Sequence, residues 1–461
     1  MGGLETRLSE VNSIPTGVHN WIMNKSANSS AGHLICVFCI LLTLLVSCNS
    51  QTPLFISSTS TTTATKEPVP TITPTIAKPT PTAAGEPELE GVISLWHSWN
   101  ETETQGLIEI IDRFQNLHPG VLFDVLYIPF EELRTKYEAT VESGQGPMAL
   151  LGPSEWGPLL FDRGFIQELT GYFNPGVLNS LNQAVLAEGE YHGALIGLPY
   201  SAQGVQLFRN KNIIPQPPGT FDDLVSSAQT ATQGGNIGAF LDRGIFFSWA
   251  HLQGIGGQLI DEDGNPAFNT VEGVEWLNLM KSFENAGLVE FNGDQDTELF
   301  LEGRVGFIID GSWNNRVYSE TLGSDAISID PWPIYQNGYL SGYVKSDNLF
   351  LNVHIEESDR SLSIAFLESF LDPEVQSILS MVGFIPTVNN SLVSDFLIQQ
   401  SMGAFTKGTP YPILPEAQVY WDILSGALVS VFDGDVDPAV ALQNANDEIK
   451  TKLDEFQPAE K

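Results

Sequence analysis

Along the first ninety positions the hydrophobic pattern changes three times. From Leu34 to Val46 runs a 13-residue apolar segment, LICVFCILLTLLV. It is short of the roughly 20 residues that a membrane-crossing helix needs, and it fits the apolar core of a secretory signal. Residues 49 to 90 are then dominated by Ser, Thr and Pro, with too few large apolar side chains to bury a core, so they predict a linker. Its prolines favour extended polyproline backbone, which makes it a semi-rigid spacer. After Gly91 the pattern becomes globular. Val92 to Trp96 reads as a buried strand, and residues 103 to 117 place Leu107, Ile110, Ile111 and Phe114 at helical spacing before Pro119-Gly120. Val121 to Tyr127 reads as a second strand, which completes a βαβ unit. Further apolar strands at Met148 to Leu151, Val205 to Phe208 and Val305 to Asp310, with helical sequence between them, predict an α/β fold with parallel or mixed sheets. A helix is expected from Pro438 to Leu453, docking through Val440, Leu442 and Ile449.

Length and charge narrow the classes. At 461 residues the chain is long enough for two or three domains. Twenty Lys and Arg against 56 Asp and Glu give a net charge of -36, which repels phosphate backbones and excludes nucleic acid as a partner. The three cysteines, Cys36, Cys39 and Cys48, all fall within the first fifty residues, so no disulfide framework is expected in the body. Leu45-Val46-Ser47-Cys48 resembles a bacterial lipobox, in which the Cys becomes the lipidated first residue of the mature chain. Residues 1–48 are therefore expected to be a lipoprotein signal peptide, with the start at Met23 and a membrane anchor at Cys48. Peptide mapping of the precursor that finds residues 1 to 22 would overturn the Met23 start.

Five segments, in order, carry a resemblance. LWHSWN (95–100) with its helix and HPGV, then Gly197-Leu198-Pro199-Tyr200 leading into LFRNKNIIPQPPGTFDDL, are two of them. The others are LEGRVGFIIDGSW (301–313), SFLDPEVQSILSMVGFIPTV (369–388) and LSGALVSVFDGDVDPAVALQNANDEIKTKL (424–453). Together they resemble the extracellular solute-binding proteins of sugar ABC importers, which include maltose-binding proteins. The resemblance implies a two-lobed, periplasmic-binding-protein-like α/β fold with a ligand cleft between lobes. The expected lobes are 91–203 with 335–385, and 204–334 with 386–461. It implies a monomer that captures a carbohydrate, delivers it to ABC permease subunits, and needs neither cofactor, metal nor catalytic residue.

The same resemblance places ligand contacts at Glu155 and Trp156 after one strand, and at Gln203 at the first crossover. It adds Phe246 and Trp249 before Gly256-Gly257, Trp313 after the late strand, and Tyr420 or Trp421 near the end. Where maltose-binding proteins carry an aromatic, this chain has Gly152. These residue types suit a sugar, whose C–H face stacks on flat rings and whose hydroxyls both donate and accept. Asp310 joins them as a carboxylate able to accept from two neighbouring hydroxyls. Asp261 to Asn265 starts like a calcium loop, but Pro266 stands where such a loop turns on Gly, so a hairpin turn is expected. A secreted glycoside hydrolase is the alternative from another class, although GxSxG, HExxH and Walker patterns are absent. A polyamine or ferric-ion receptor of the same superfamily is the other.

Overall fold

A computed structural model describes residues 89–261, 264–414, 416–434 and 436–455. The signal, Cys48 and the expected linker up to residue 88 lie outside the described residues, while Glu90, expected in the linker, already belongs to a strand. The strands that position the site are β1 (Glu90–His97), β2 (Gly120–Tyr127), β3 (Ala149–Pro153), β4 (Leu198–Asn210), β5 (Ile237–Asp242), β6 (Leu288–Glu290), β7 (Val305–Gly311), β8 (Ile327–Asp330) and β9 (Tyr343–Leu351). They run in one sheet in the order β2-β1-β3-β9-β4-β7-β5-β6, with β8 pairing β4. On one flank β1 lies parallel to both β2 and β3, and on the other β5 lies parallel to β6 and β7. Between the flanks β9 and β4 run antiparallel to each other and to their outer neighbours. Helical crossovers explain the parallel flanks, and the two long central strands join them.

The first βαβ unit forms as its pattern dictates. Asn100 closes a capping box on the helix Glu101–Leu117: its Oδ1 accepts from the Glu103 N–H at 3.0 Å, and Glu103 accepts from the Asn100 N–H at 2.8 Å. Leu107, Ile110 and Phe114 are buried, and Ile111 is half-buried. The C-terminal helix Pro438–Glu455 departs from expectation at one position. Ala441, Leu442, Ala445 and Ile449 are buried, but Val440 is 51% exposed. It stands two residues from Leu442, about 200° around the helix, and so points away from the core. At Asp261 the chain makes the expected turn: Asp261 N–H donates to Asn265 O at 2.9 Å, beneath an Ile260–Pro266 bridge.

Apolar burial is concentrated in two large cores. Ile93, Leu95, Leu107, Leu151, Leu349, Phe366 and Leu379 share one core, and Val205, Leu207, Leu241, Trp276, Phe307, Leu428 and Ile449 share another. A third cluster gathers Ala202 and Val344 of the central strands with Phe208, Ile308, Tyr318 and Leu397. Among the described residues no helix is long and apolar enough to cross a membrane.

Candidate functional site

Side chains alternate across a strand, so one face of the central pair can be read from its register. Lys345 on β9 lies opposite Gln203 on β4, and Asp347 lies opposite Ser201. Tyr343 follows on the same face, because it too is two residues from Lys345. The turn Ser154–Trp156, which ends β3, brings Glu155 over this face, where its carboxylate pairs with the Lys345 ammonium. Lys345 Nζ also stands 4.9 Å from the centre of the Tyr411 ring. Ser154 Oγ donates to Glu188 at 2.8 Å, and Ser201 Oγ donates to Asp347 at 2.8 Å.

Burial and charge set the protonation of this group. Burial pushes Glu188 well above the usual carboxylate range, against the opposing pull of the Ser154 hydroxyl, and pushes Asp347 up to about 6. Burial is the strongest single influence on Lys345 and lowers its pKa, but the charges and hydrogen bond around it, those of the facing Glu155 first among them, together hold the ammonium above its ordinary value.

Aromatic rings continue the floor toward the second lobe. The Tyr343 ring centre lies 4.7 Å from Phe246, 5.2 Å from Tyr411 and 6.4 Å from Trp249, with which it is nearly parallel. Phe246 is 6.2 Å from Trp313, and Trp421 donates its Nε1–H to Tyr411 Oη at 3.0 Å. Trp313 lies so flat on Gly311 that a Cβ there would come within 2.0 Å of the ring, so only glycine permits this pose. Five buried polar atoms in this region find no partner in the protein: Glu155 Oε2, Glu188 Oε1, Tyr343 Oη, Trp249 Nε1 and Trp313 Nε1. Buried polar groups are nearly always bonded, so orphan donors and acceptors gathered in one place are what a site for a hydroxylated ligand requires.

Of the nine residues the sequence singled out, Glu155, Gln203, Phe246, Trp313 and Trp421 are half-buried in this region. The other four are packed or bonded within the protein, although Trp249 keeps its unpartnered Nε1–H. Trp156 is 8% exposed, its ring tilted against Phe130 at 5.3 Å and covering Gly152, where a Cβ would approach its ring to 2.6 Å. Trp249 is 2% exposed behind Tyr343. Asp310 accepts from the Gly311 N–H and from Asn314 Nδ2, both at 2.7 Å, and from Tyr318 Oη, which occupies its oxygens. Tyr420 is 1% exposed and donates to Gly264 O at 2.7 Å.

The residues that sequence reasoning missed are Glu188, Tyr343, Lys345, Asp347 and Tyr411. Tyr343, Lys345 and Asp347 fall at every second position of β9, but Ser346 and Asn348 between and beside them are polar too, so no alternation marked them out. A separate hollow of about 310 Å³ opens at the ends of β1 and β2, lined by Trp99, Asn100, Glu101, Thr104, Gln105 and Tyr127.

Residues 109–406 match the family described as bacterial extracellular solute-binding protein. The chain belongs to this family. Among its relatives, a galactooligosaccharide-binding protein of Bacillus subtilis is 25% identical over 382 residues, covering 77% of this chain and 88% of the relative. A maltotriose-binding protein of Pyrococcus abyssi is 24% identical over 232 residues, 49% of this chain and 50% of its own. The fold is similar to that of an extracellular solute-binding protein from Staphylococcus aureus solved with maltose. There the TM-score is 0.72 at 17% identity, over 81% of this chain and 100% of that one. A cyclic alpha-maltosyl-1,6-maltose binding protein from Arthrobacter globiformis gives 0.70 at 18% identity, over 80% and 100%. The site described above lies on the central strands β4 and β9, between the two parallel flanks of the sheet.

Proposed function

We propose that this solute-binding protein captures a sugar or oligosaccharide outside the membrane and delivers it, chemically unchanged, to an ABC importer. The observation that carries this is the cleft floor itself, where flat rings stand beside unpartnered indole N–H, phenol and carboxylate groups. Stacking serves the C–H face of a pyranose, while the orphan donors and acceptors serve its hydroxyl rim. Glu155, Gln203, Phe246, Trp313 and Trp421 are the proposed ligand contacts, joined by Tyr343 and Tyr411. Trp156, Trp249, Asp310 and Tyr420 hold those contacts in place from behind. The saccharide-binding names of the relatives point the same way. We propose the lobes as 91–203 with 335–385 and 204–334 with 386–461, in a monomer tethered by lipid at Cys48 through the linker.

A thermal-shift screen of the full chain against mono- and oligosaccharides, spermidine and ferric citrate tests the reading, because a ligand that binds only the native state raises the Tm. A saccharide is expected to raise it without being hydrolysed. Stabilisation by spermidine or ferric citrate alone, or release of cleaved sugar, would overturn it.

A further inference from the structure

On the β5 flank of the sheet stands a group of acids that the proposed ligand contacts do not include. Asp242 ends β5, Glu290 ends β6, Asp310 lies on β7, and Asp296 lies in the helix Gln295–Leu301. Asp242, Asp296 and Asp310 are 1%, 3% and 3% exposed, and Glu290 is half-buried. Two of these acids hold the segments that carry the rings. Asp242 Oδ1 accepts from the Gly244 N–H at 2.6 Å, at the start of the helix Ile245–Gly254 that bears Phe246, and from the Asn292 N–H at 3.1 Å. Asp310 accepts from the Gly311 N–H and from Asn314 Nδ2, so it is bonded on both sides of Trp313 in the chain.

Asp296 joins the two. Its carboxyl is hydrogen-bonded to that of Glu290 and feels the charges of Asp310, Glu290 and Asp242. Its own N–H and that of Gln295 also reach Glu290, at 3.4 and 3.2 Å. Tyr318, from the helix Asn315–Leu322, is the further titratable group facing the cluster, and its hydroxyl donates to Asp310. Among the described residues no Lys or Arg forms an ion pair with any of these acids; Arg243, next to Asp242 in the chain, turns to Glu284 and to the Phe432 ring.

Two carboxyl groups can bond to each other only with a proton between them, and carboxylates gathered without a counter-cation repel one another strongly at low dielectric. At Asp296 burial first, then the Glu290 bond and the neighbouring charges, all push the carboxyl above its usual range. At Asp242 and Asp310 burial also raises the carboxyl, but N–H and hydroxyl bonds pull it back, so Asp296 is the acid of the group that keeps its proton to the highest pH.

We infer that Asp296 is a positioning residue of the saccharide site: as the neutral donor to Glu290 it lets Asp242 and Asp310 sit side by side, and so sets the Phe246 ring against the Trp313 ring. Loss of its proton adds a charge that no cation offsets, spreads the ends of β5 and β7, and loosens the two rings, whose centres stand 6.2 Å apart. Saccharide affinity is therefore full while Asp296 is protonated and falls as pH rises through its ionisation. This rests on the carbohydrate reading above and adds how that site responds to pH.

Calorimetric titration of the full chain with maltotriose and with galactotriose, between about pH 7.5 and pH 10, tests it, alongside near-UV circular dichroism of the sugar-free chain as a record of ring packing. In the parent, affinity is expected to fall about threefold or more across this range, and the near-UV signal to weaken with it. Asp296→Asn donates the same bond without titrating, so its affinity and its near-UV signal should stay level. Asp296→Leu, with its fold checked by far-UV circular dichroism, cannot make the bond and should bind weakly already at pH 7.5. The same pH slope in Asp296→Asn as in the parent, or no slope in the parent, overturns the inference and leaves the carbohydrate reading standing. Failure of both sugars to bind at pH 7.5 counts against the carbohydrate reading, and the near-UV signal then decides Asp296 by itself: a pH dependence that Asp296→Asn abolishes supports its role, and equal signals overturn it.

Discussion

Single residues decide stability and affinity here through burial. Arg209 and Asp330 are 4% and 2% exposed and meet in two bonds, of 2.6 and 3.0 Å, while a third guanidinium N–H donates to Ile214 O at 2.8 Å. Removing the carboxylate leaves a buried cation uncompensated, so Asp330→Ala should cost about 3–5 kcal/mol in urea unfolding. A loss below about 1 kcal/mol would show that the pair is dispensable. Trp313 differs, because it is half-buried on the cleft floor, and Trp313→Ala should weaken sugar binding by about 2 kcal/mol while leaving the unfolding midpoint nearly unchanged. Unaltered affinity would remove Trp313 from the site. Burial also sets a pH dependence in the second lobe, where it lifts Asp242 to about 7 and Asp310 to about 6. Both folded-state values lie above the unfolded ones. The folded form therefore holds these protons more tightly, and the stability they contribute, full below about pH 4, is lost as pH rises through about 7. Asp242→Asn should accordingly flatten the fall in Tm between about pH 5 and pH 8, measured against the parent chain over the same range; an unchanged slope would refute this.

At the scale of elements, the close approach of β4 and β9 gives the cleft its floor. Gly204 lies where the two strands are tightest, and a Cβ there would come within 2.3 Å of the Tyr343 carbonyl oxygen. Its N–H donates to Ser312 Oγ at 3.1 Å, which links this point to the turn that carries Trp313. Backbone cannot yield as a side chain can, so Gly204→Ala should destabilise by about 2 kcal/mol or more and disturb ligand affinity as well. Native-like stability and binding together would disprove the tight crossing. The outer strand β2 contrasts with this pair. Val121 is buried, but Leu122 and Tyr127 are 61% and 57% exposed, because an edge strand has a neighbour on one side only.

For the whole molecule, the proposed site draws on both flanks of the sheet: Glu155 follows β3 on one side of the central pair, and Trp313 follows β7 on the other. A ligand that touches both stabilises the closed form by its differential affinity for that form. Small-angle scattering should therefore record a smaller radius of gyration with saturating saccharide than without it. An identical radius in both states would mean that the lobes do not close on the ligand.

Local patterns reached far into this protein. The period of the apolar positions determined the strands at 90–97 and 120–127 and the helix at 101–117, since each of these is dictated by its own residues and their immediate neighbours. The composition shift after residue 90 marked the start of the globular body for the same reason. Candidate rings and carboxylates were legible as residue types, and Glu155, Gln203, Phe246, Trp313 and Trp421 do gather in one region. What the sequence could not decide was which of them are already bonded by the protein. Asp310 loses its oxygens to Tyr318, Asn314 and Gly311, and Tyr420 loses its hydroxyl to Gly264, more than 150 positions away. Lys345 becomes part of the cleft because antiparallel pairing sets it against Gln203 and beneath Glu155, contacts spanning 142 and 190 positions. Such pairings have no local signature, because they are fixed by register and packing across the whole sheet, and only the tertiary structure holds that information.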